Sequence, residues 1–243
     1  MTRRAPGFSL IEMAFVLIIV TLLLGGLLVP FATQVEQKRI AETNKAMEEI
    51  KEALLGFALA HKRLPCPDTI ASNDGVEDPQ GGPCPVNTVG NLPWATLGVG
   101  TADAWGNRFT YQVTPEFSDP ATFFSLGTPG TLRICSSYTC ASPVANTVPA
   151  VIVSHGKNGY GAVNSNTPIG PPAANAAPTG KDEQQNLHNT IPPSTDFVSR
   201  IQTGPRSACA DATAAPCEFD DLVVWISPNV LFNRMVAAGQ LPN

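Results

Sequence analysis

The chain has 243 residues, a net charge of -5, 43% hydrophobic residues and only 14% charged ones. Its 20 Gly and 23 Pro fall mostly after Arg63, which favours a loop-rich domain of short strands over a helical bundle. From Leu64 onward there are 7 basic and 14 acidic side chains, so this part is no general nucleic-acid binder, which would need clustered Lys and Arg.

In chain order, "MTRRAPG" (1–7) is a short basic leader. From Met13 to Thr33 no charge occurs. As a helix this stretch rises about 31 Å, enough to cross a hydrocarbon core. A cleaved secretory signal would be shorter and end in a small-residue site, so the segment is expected to stay. Arg3 and Arg4 before it would place the N-terminus in the cytoplasm and the rest outside. Between Gln34 and Arg63, the residues Ile40, Thr43, Met47, Ile50, Leu54, Phe57 and His61 follow at steps of three and four, one face of a helix. Charged residues cover its other faces. Pro30 is expected to kink the helix without ending it, and "RLPCPD" (63–68) to stop it.

Short strands are expected beyond that point. "RFTYQV" (108–113) alternates in the manner of a half-buried strand. "TLRIC" (131–135), "AVIVS" (150–154) and "DLVVWIS" (221–227) read as further strands. Residues 156–194 read as a long loop. "SPNVLFNRMVAAG" then carries Ser227 as N-cap, Pro228 at the first helical position and Gly239 as C-terminal stop. The fold class is α+β: a long N-terminal helix, transmembrane then amphipathic, and a β-rich globular head.

Six cysteines, Cys66, Cys84, Cys135, Cys140, Cys209 and Cys217, all follow the apolar segment. An even number in that position points to an oxidising compartment and disulfides, with 15 connectivities open. Nearest-neighbour pairing closes three short loops. The competing metal site lacks a Cys-x-x-Cys pair and a neighbouring His. "SHGKNGYG" (154–161) lacks the order of a phosphate loop, and Ser154 beside His155 lacks an orienting acid, so a Gly-rich turn is the reading.

Glu12 is the one charge at the start of the apolar run. A carboxylate there is costly without a partner or an interfacial position. Cutting after Gly7 would create an α-amine on Phe8, four residues away and on the same helix face. In a packed bundle, Glu12 of one copy would meet the Phe8 amine of the next and set the stagger between them.

A basic leader ending in Gly7, then Phe8-Ser9-Leu10-Ile11-Glu12 and an apolar run, resembles the N-terminal signature of the type IV pilin and type II secretion pseudopilin superfamily. The resemblance covers roughly residues 1–62. "DAWGNRFTYQV" (103–113) is similar to the stretch that follows the helix in major pseudopilins, with Ala104 where the family usually has Pro. The resemblance implies a lollipop: a cleaved leader (1–7), a transmembrane and assembly half-helix (8–33), an amphipathic half (34–63) and a periplasmic head (64–243). It implies single-pass insertion in the bacterial inner membrane, contact with lipid, and a head on the periplasmic side before assembly into an extracytoplasmic filament. The partners implied are a prepilin peptidase that cuts and methylates, other pilin or pseudopilin subunits, and an inner-membrane assembly platform. Gly7 and Phe8 would be the processing residues and Glu12 the assembly residue. The long insertions between Pro115 and Pro193, and the six cysteines, fit a minor or specialised subunit that does no chemistry. The alternative is a membrane-anchored periplasmic binding protein or enzyme with a pilin-like start. Some heads of this family bind calcium through a C-terminal acidic loop, which makes Asp196, Glu218, Asp220 and Asp221 calcium candidates, against the plainer reading of a solvated acidic loop.

Overall fold

The computed structural model describes residues 9–69, 73–167, 174–187, 195–204 and 218–241, with side chains described throughout except at 23–30. Helix α1 runs from Leu10 to His61. The chain divides into two compact units, Met1–Ala41 and Glu42–Asn243, with the boundary inside this helix.

In the first unit the large apolar side chains between Leu10 and Leu22 are 43–88% exposed. Backbone at Pro30 is helical, within an unbroken α1. The expectation of a transmembrane half-helix is corrected here. Among the described residues no helix is long and apolar enough to cross a membrane. Single-pass placement in the inner membrane falls with it, and so does the membrane-anchored lollipop.

In the second unit the predicted stripe holds from Thr43 to Leu54 and then shifts: Phe57 is half-buried and His61 exposed, and Ala58 takes the buried position. Thr43, Met47, Ile50, Leu54 and Ala58 are all at most 1% exposed. Lys62 takes a left-handed conformation (φ 56°) just past the helix end, a common way to stop one, and its N–H returns to the Ala58 carbonyl.

The remaining elements are β1 (Val89–Asn91), α2 (Trp94–Leu97), β2 (Thr110–Val113), β3 (Leu132–Cys135), β4 (Pro143–Val148), β5 (Ala150–Ser154), α3 (Lys181–Leu187), β6 (Asp196–Val198), β7 (Leu222–Ile226) and α4 (Pro228–Ala237). An antiparallel sheet has the order β1-β2-β5-β7, and a second sheet the order β4-β3-β6. In the second sheet β6 lies parallel to β3. Because side chains alternate along a strand, β5 serves two cores. Ala150 and Ile152 face the helix side, with Tyr111, Ile226, Met47, Leu54, Leu231 and Met235. Val151 and Val153 face the second sheet and pack with Leu132, Ile134, Val148 and Phe197. Three layers result within this unit: helix, four-stranded sheet, three-stranded sheet.

Disulfides join Cys66 to Cys84 and Cys135 to Cys140, the latter across the turn between β3 and β4. Cys209 and Cys217 lie outside the described residues. The expected loop 156–194 holds α3 within its described part.

Candidate functional site

Two places concentrate polar chemistry: the start of α1, and one end of the four-stranded sheet.

At the start of α1, the Ser9 carbonyl accepts the N–H groups of Glu12 and Met13, which makes Ser9 the N-cap. Glu12 reaches back and accepts the Ser9 N–H on Oε2 at 2.8 Å. That is half of a capping box, Ser-x-x-Glu, a local role for the carboxylate that was readable in the sequence and overlooked there. Gly7 and Phe8 lie outside the described residues.

The second place is built from four segments. The turn after β5 brings in His155, Gly156 and Asn158. Helix α3 brings Glu183 and Asn186. The approach to β7 brings Asp220 and Asp221, and β2 brings Thr110. One carboxylate oxygen each from Glu183, Asp220 and Asp221 lies within 4.8 Å of the others. Glu183 is 3% exposed and Asp221 4%. Their placement is fixed by backbone. Asp220 N–H donates to Glu183 Oε1 at 3.0 Å, and Asn158 N–H to Asp220 Oδ2 at 2.7 Å. Asn186 donates to Asp221 Oδ2 (2.8 Å) and exchanges two hydrogen bonds with the Val198 backbone, tying α3 to β6. Gly156 has φ 57°, and a Cβ there would run into the Asp220 carbonyl, so this turn requires glycine.

Crowding of the acids shifts their protonation. Burial, then the charge of Asp221, pushes the Glu183 carboxyl up to about 8. Burial also pushes Asp220 up to about 6, against the hydrogen bond from Asn158 and with the help of the Asp221 charge. At neutral pH, Glu183 therefore holds a proton.

His155 is 1% exposed. Its Nε2 is 2.8 Å from Thr110 Oγ1, while Nδ1 stands 3.7 Å from Asp221 Oδ1. Ser154 is turned elsewhere: its hydroxyl donates to Asp103 Oδ2 at 2.7 Å, so no Ser–His pair forms. Asp103 also accepts the N–H groups of Trp105 and Asn107, which shapes the "DAWGN" turn.

Of the calcium candidates, Asp220 and Asp221 meet, and Glu218 acts on Asp220 only through its charge. Asp196 is gripped by Arg133, with Nε to Oδ1 at 2.7 Å and Nη2 to Oδ2 at 2.6 Å. Glu183 completes the trio instead. Nothing in the sequence marked it, since it stands in a stretch that reads as loop.

Elsewhere a second buried acid is fully compensated. Arg63 and Glu77 form a two-pronged pair (2.8 and 2.6 Å), 7% and 8% exposed, and Glu77 also accepts the N–H groups of Cys66 and Gly81. Burial alone would raise the Glu77 carboxyl, but these donors hold it below its usual range.

Compared with protein-family models, curated proteins and solved structures, the chain matches none.

Proposed function

We propose that this chain is a pilin-like structural subunit. A prepilin peptidase cuts it between Gly7 and Phe8, and it packs with other pilin or pseudopilin subunits into a filament of the type IV pilus or type II secretion kind. The observation that carries the reading is the exposed apolar stretch Leu10–Leu22 with Glu12 at its start. An isolated chain leaves these side chains in contact with solvent, and a contiguous apolar surface of that kind marks an interaction site. Neighbouring copies would cover it, each large side chain contributing about 1.5–3 kcal/mol on burial. Among the described residues Glu12 accepts a backbone N–H, that of Ser9, and exchanging it for the Phe8 amine of an adjacent copy would replace a neutral donor with a charged, stronger one.

Glu12→Gln separates the two roles of this residue, because glutamine also serves in a capping box but carries no charge. The expected result is that Glu12→Gln and Glu12→Ala chains fold normally and both enter filaments poorly. Normal incorporation of Glu12→Gln beside failure of Glu12→Ala would reduce Glu12 to a helix cap. Normal incorporation of both would remove it from assembly altogether.

A further inference from the structure

The two disulfides stand in unlike surroundings. Cys66 and Cys84 are 0% and 5% exposed and belong to the helix-side core. Cys135 is 0% exposed as well, but its partner Cys140 is half-buried, in a turn whose Ser136, Thr139, Ala141 and Ser142 are exposed. We propose that Cys140 is a site of thiol–disulfide exchange, which makes the Cys135–Cys140 bond a redox-sensitive clasp on the turn between β3 and β4. A dithiol opens it while Cys66–Cys84 stays closed.

Three observations point the same way. An attacking thiolate must reach a sulfur, and of these four cysteines Cys140 is the least buried. Cys140 also holds a left-handed backbone, φ 46°, which is unfavourable for a residue with a Cβ. Opening the bond lets that residue relax. Finally, the two cysteines are 5 positions apart, against 18 for Cys66 and Cys84. A shorter ring restricts the unfolded chain less, so its closure adds less stability. Asp196, with an oxygen within 4.8 Å of both sulfurs, would oppose a thiolate by its charge, but Arg133 neutralises it.

In the exchange, one thiolate of the dithiol bonds to Cys140 Sγ as the bond to Cys135 breaks. The electron pair leaves on Cys135 Sγ, which takes up a proton. The second thiolate of the dithiol then attacks its own sulfur in the mixed disulfide and releases Cys140, which is protonated in turn. The protein gains two thiols and the dithiol becomes a cyclic disulfide. The fold survives this step, because β3 and β4 keep the pairs Leu132 with Val148, Ile134 with Ala145 and Cys135 with Pro143. What loosens is the turn, which is tied to α3 through the Tyr138 N–H on Asp182 Oδ1 at 2.9 Å and the Lys181 ammonium over the Tyr138 ring. Exchange at Cys140 does not depend on whether the chain enters filaments.

The test equilibrates the full chain in mixtures of reduced and oxidised dithiothreitol, alkylates the free thiols and maps them by mass spectrometry. Cys135 and Cys140 should be alkylated at a reduced-to-oxidised ratio at least about tenfold below the one that opens Cys66–Cys84. At the ratio that opens the first pair alone, hydrogen exchange should quicken at the Tyr138 and Cys140 amides and stay unchanged in β5. Oxidised glutathione should form an adduct on Cys140 in Cys135→Ser and leave Cys135 unmodified in Cys140→Ser. Should these variants fail to fold, the titration and the exchange measurement on the wild-type chain decide. Joint opening of the two disulfides, earlier opening of Cys66–Cys84, an adduct on Cys135 in folded Cys140→Ser, or lost protection in β5 when the first pair opens would each overturn the proposal.

Discussion

Two stretches of α1 both carry large apolar side chains and end up differently. From Leu10 to Leu22 the large side chains are 43–88% exposed, whereas Met47, Ile50, Leu54, Leu55 and Ala58 are at most 3% exposed. The second stretch is covered by the chain's own sheet and by α4, and its polar residues lie on the outer faces. The first has apolar residues on every face, a pattern that no single sheet could cover. Apolar content alone therefore does not tell which part of a helix stabilises the fold. The second stretch holds the fold together, while the first is exposed among the described residues and is the surface that the proposed filament would cover.

That contrast is broken or sharpened by mutation. The largest effect is expected where a buried charge loses its partner. Arg63→Ala leaves Glu77 buried without its guanidinium and should lower unfolding free energy by about 3–5 kcal/mol in a denaturant titration. Leu54→Ala should cost about 3 kcal/mol, by emptying space beneath the sheet. The matched change Leu17→Ala should cost under about 0.5 kcal/mol in the same titration, since no packed neighbour is lost. Equal costs for the two leucines would erase the distinction between the stretches.

The buried acids predict opposite pH limbs. The Glu77 carboxyl is lowered in the folded chain, so its contribution is present above the unfolded pKa and lost as pH falls through the folded value. Glu183 is raised to about 8, so its contribution is present below its unfolded value near 4.5 and lost as pH rises through 8. The chain should therefore melt progressively lower between pH 5 and 9 on this account. Glu183→Gln should flatten that limb and stabilise the chain by about 1 kcal/mol near pH 8. Retention of the alkaline limb in Glu183→Gln would place its origin elsewhere. The smallest stability effect belongs to Glu12→Gln, which should leave the melting temperature unchanged within error.

Much of this fold was legible where local pattern and burial agree. Strands β2, β3, β5 and β7 fall inside predicted alternating or apolar runs, and α4 begins after Ser227 with Pro228, as its sequence dictates. The elements that were missed have weak local signals. β1 is "VGN", with a glycine at its centre, β4 opens on a proline at a sheet edge, and β6 has three residues and pairs in parallel with a strand some sixty positions earlier. The candidate site suffered most, because Glu183 and Asp220 are 37 residues apart and meet only through the topology of α3 and β7. Asp196, equally acidic in the sequence, was claimed by Arg133. The exposed apolar half-helix shows the reverse case: its sequence suggested a lipid environment, while among the described residues no helix is long and apolar enough to cross a membrane.

The most direct test of the subunit reading is the intact mass of the chain purified from cells that contain prepilin peptidase activity. The account predicts a polypeptide beginning at Phe8 with one added methyl group. A chain recovered from those cells with Met1 and the leader still in place would contradict it.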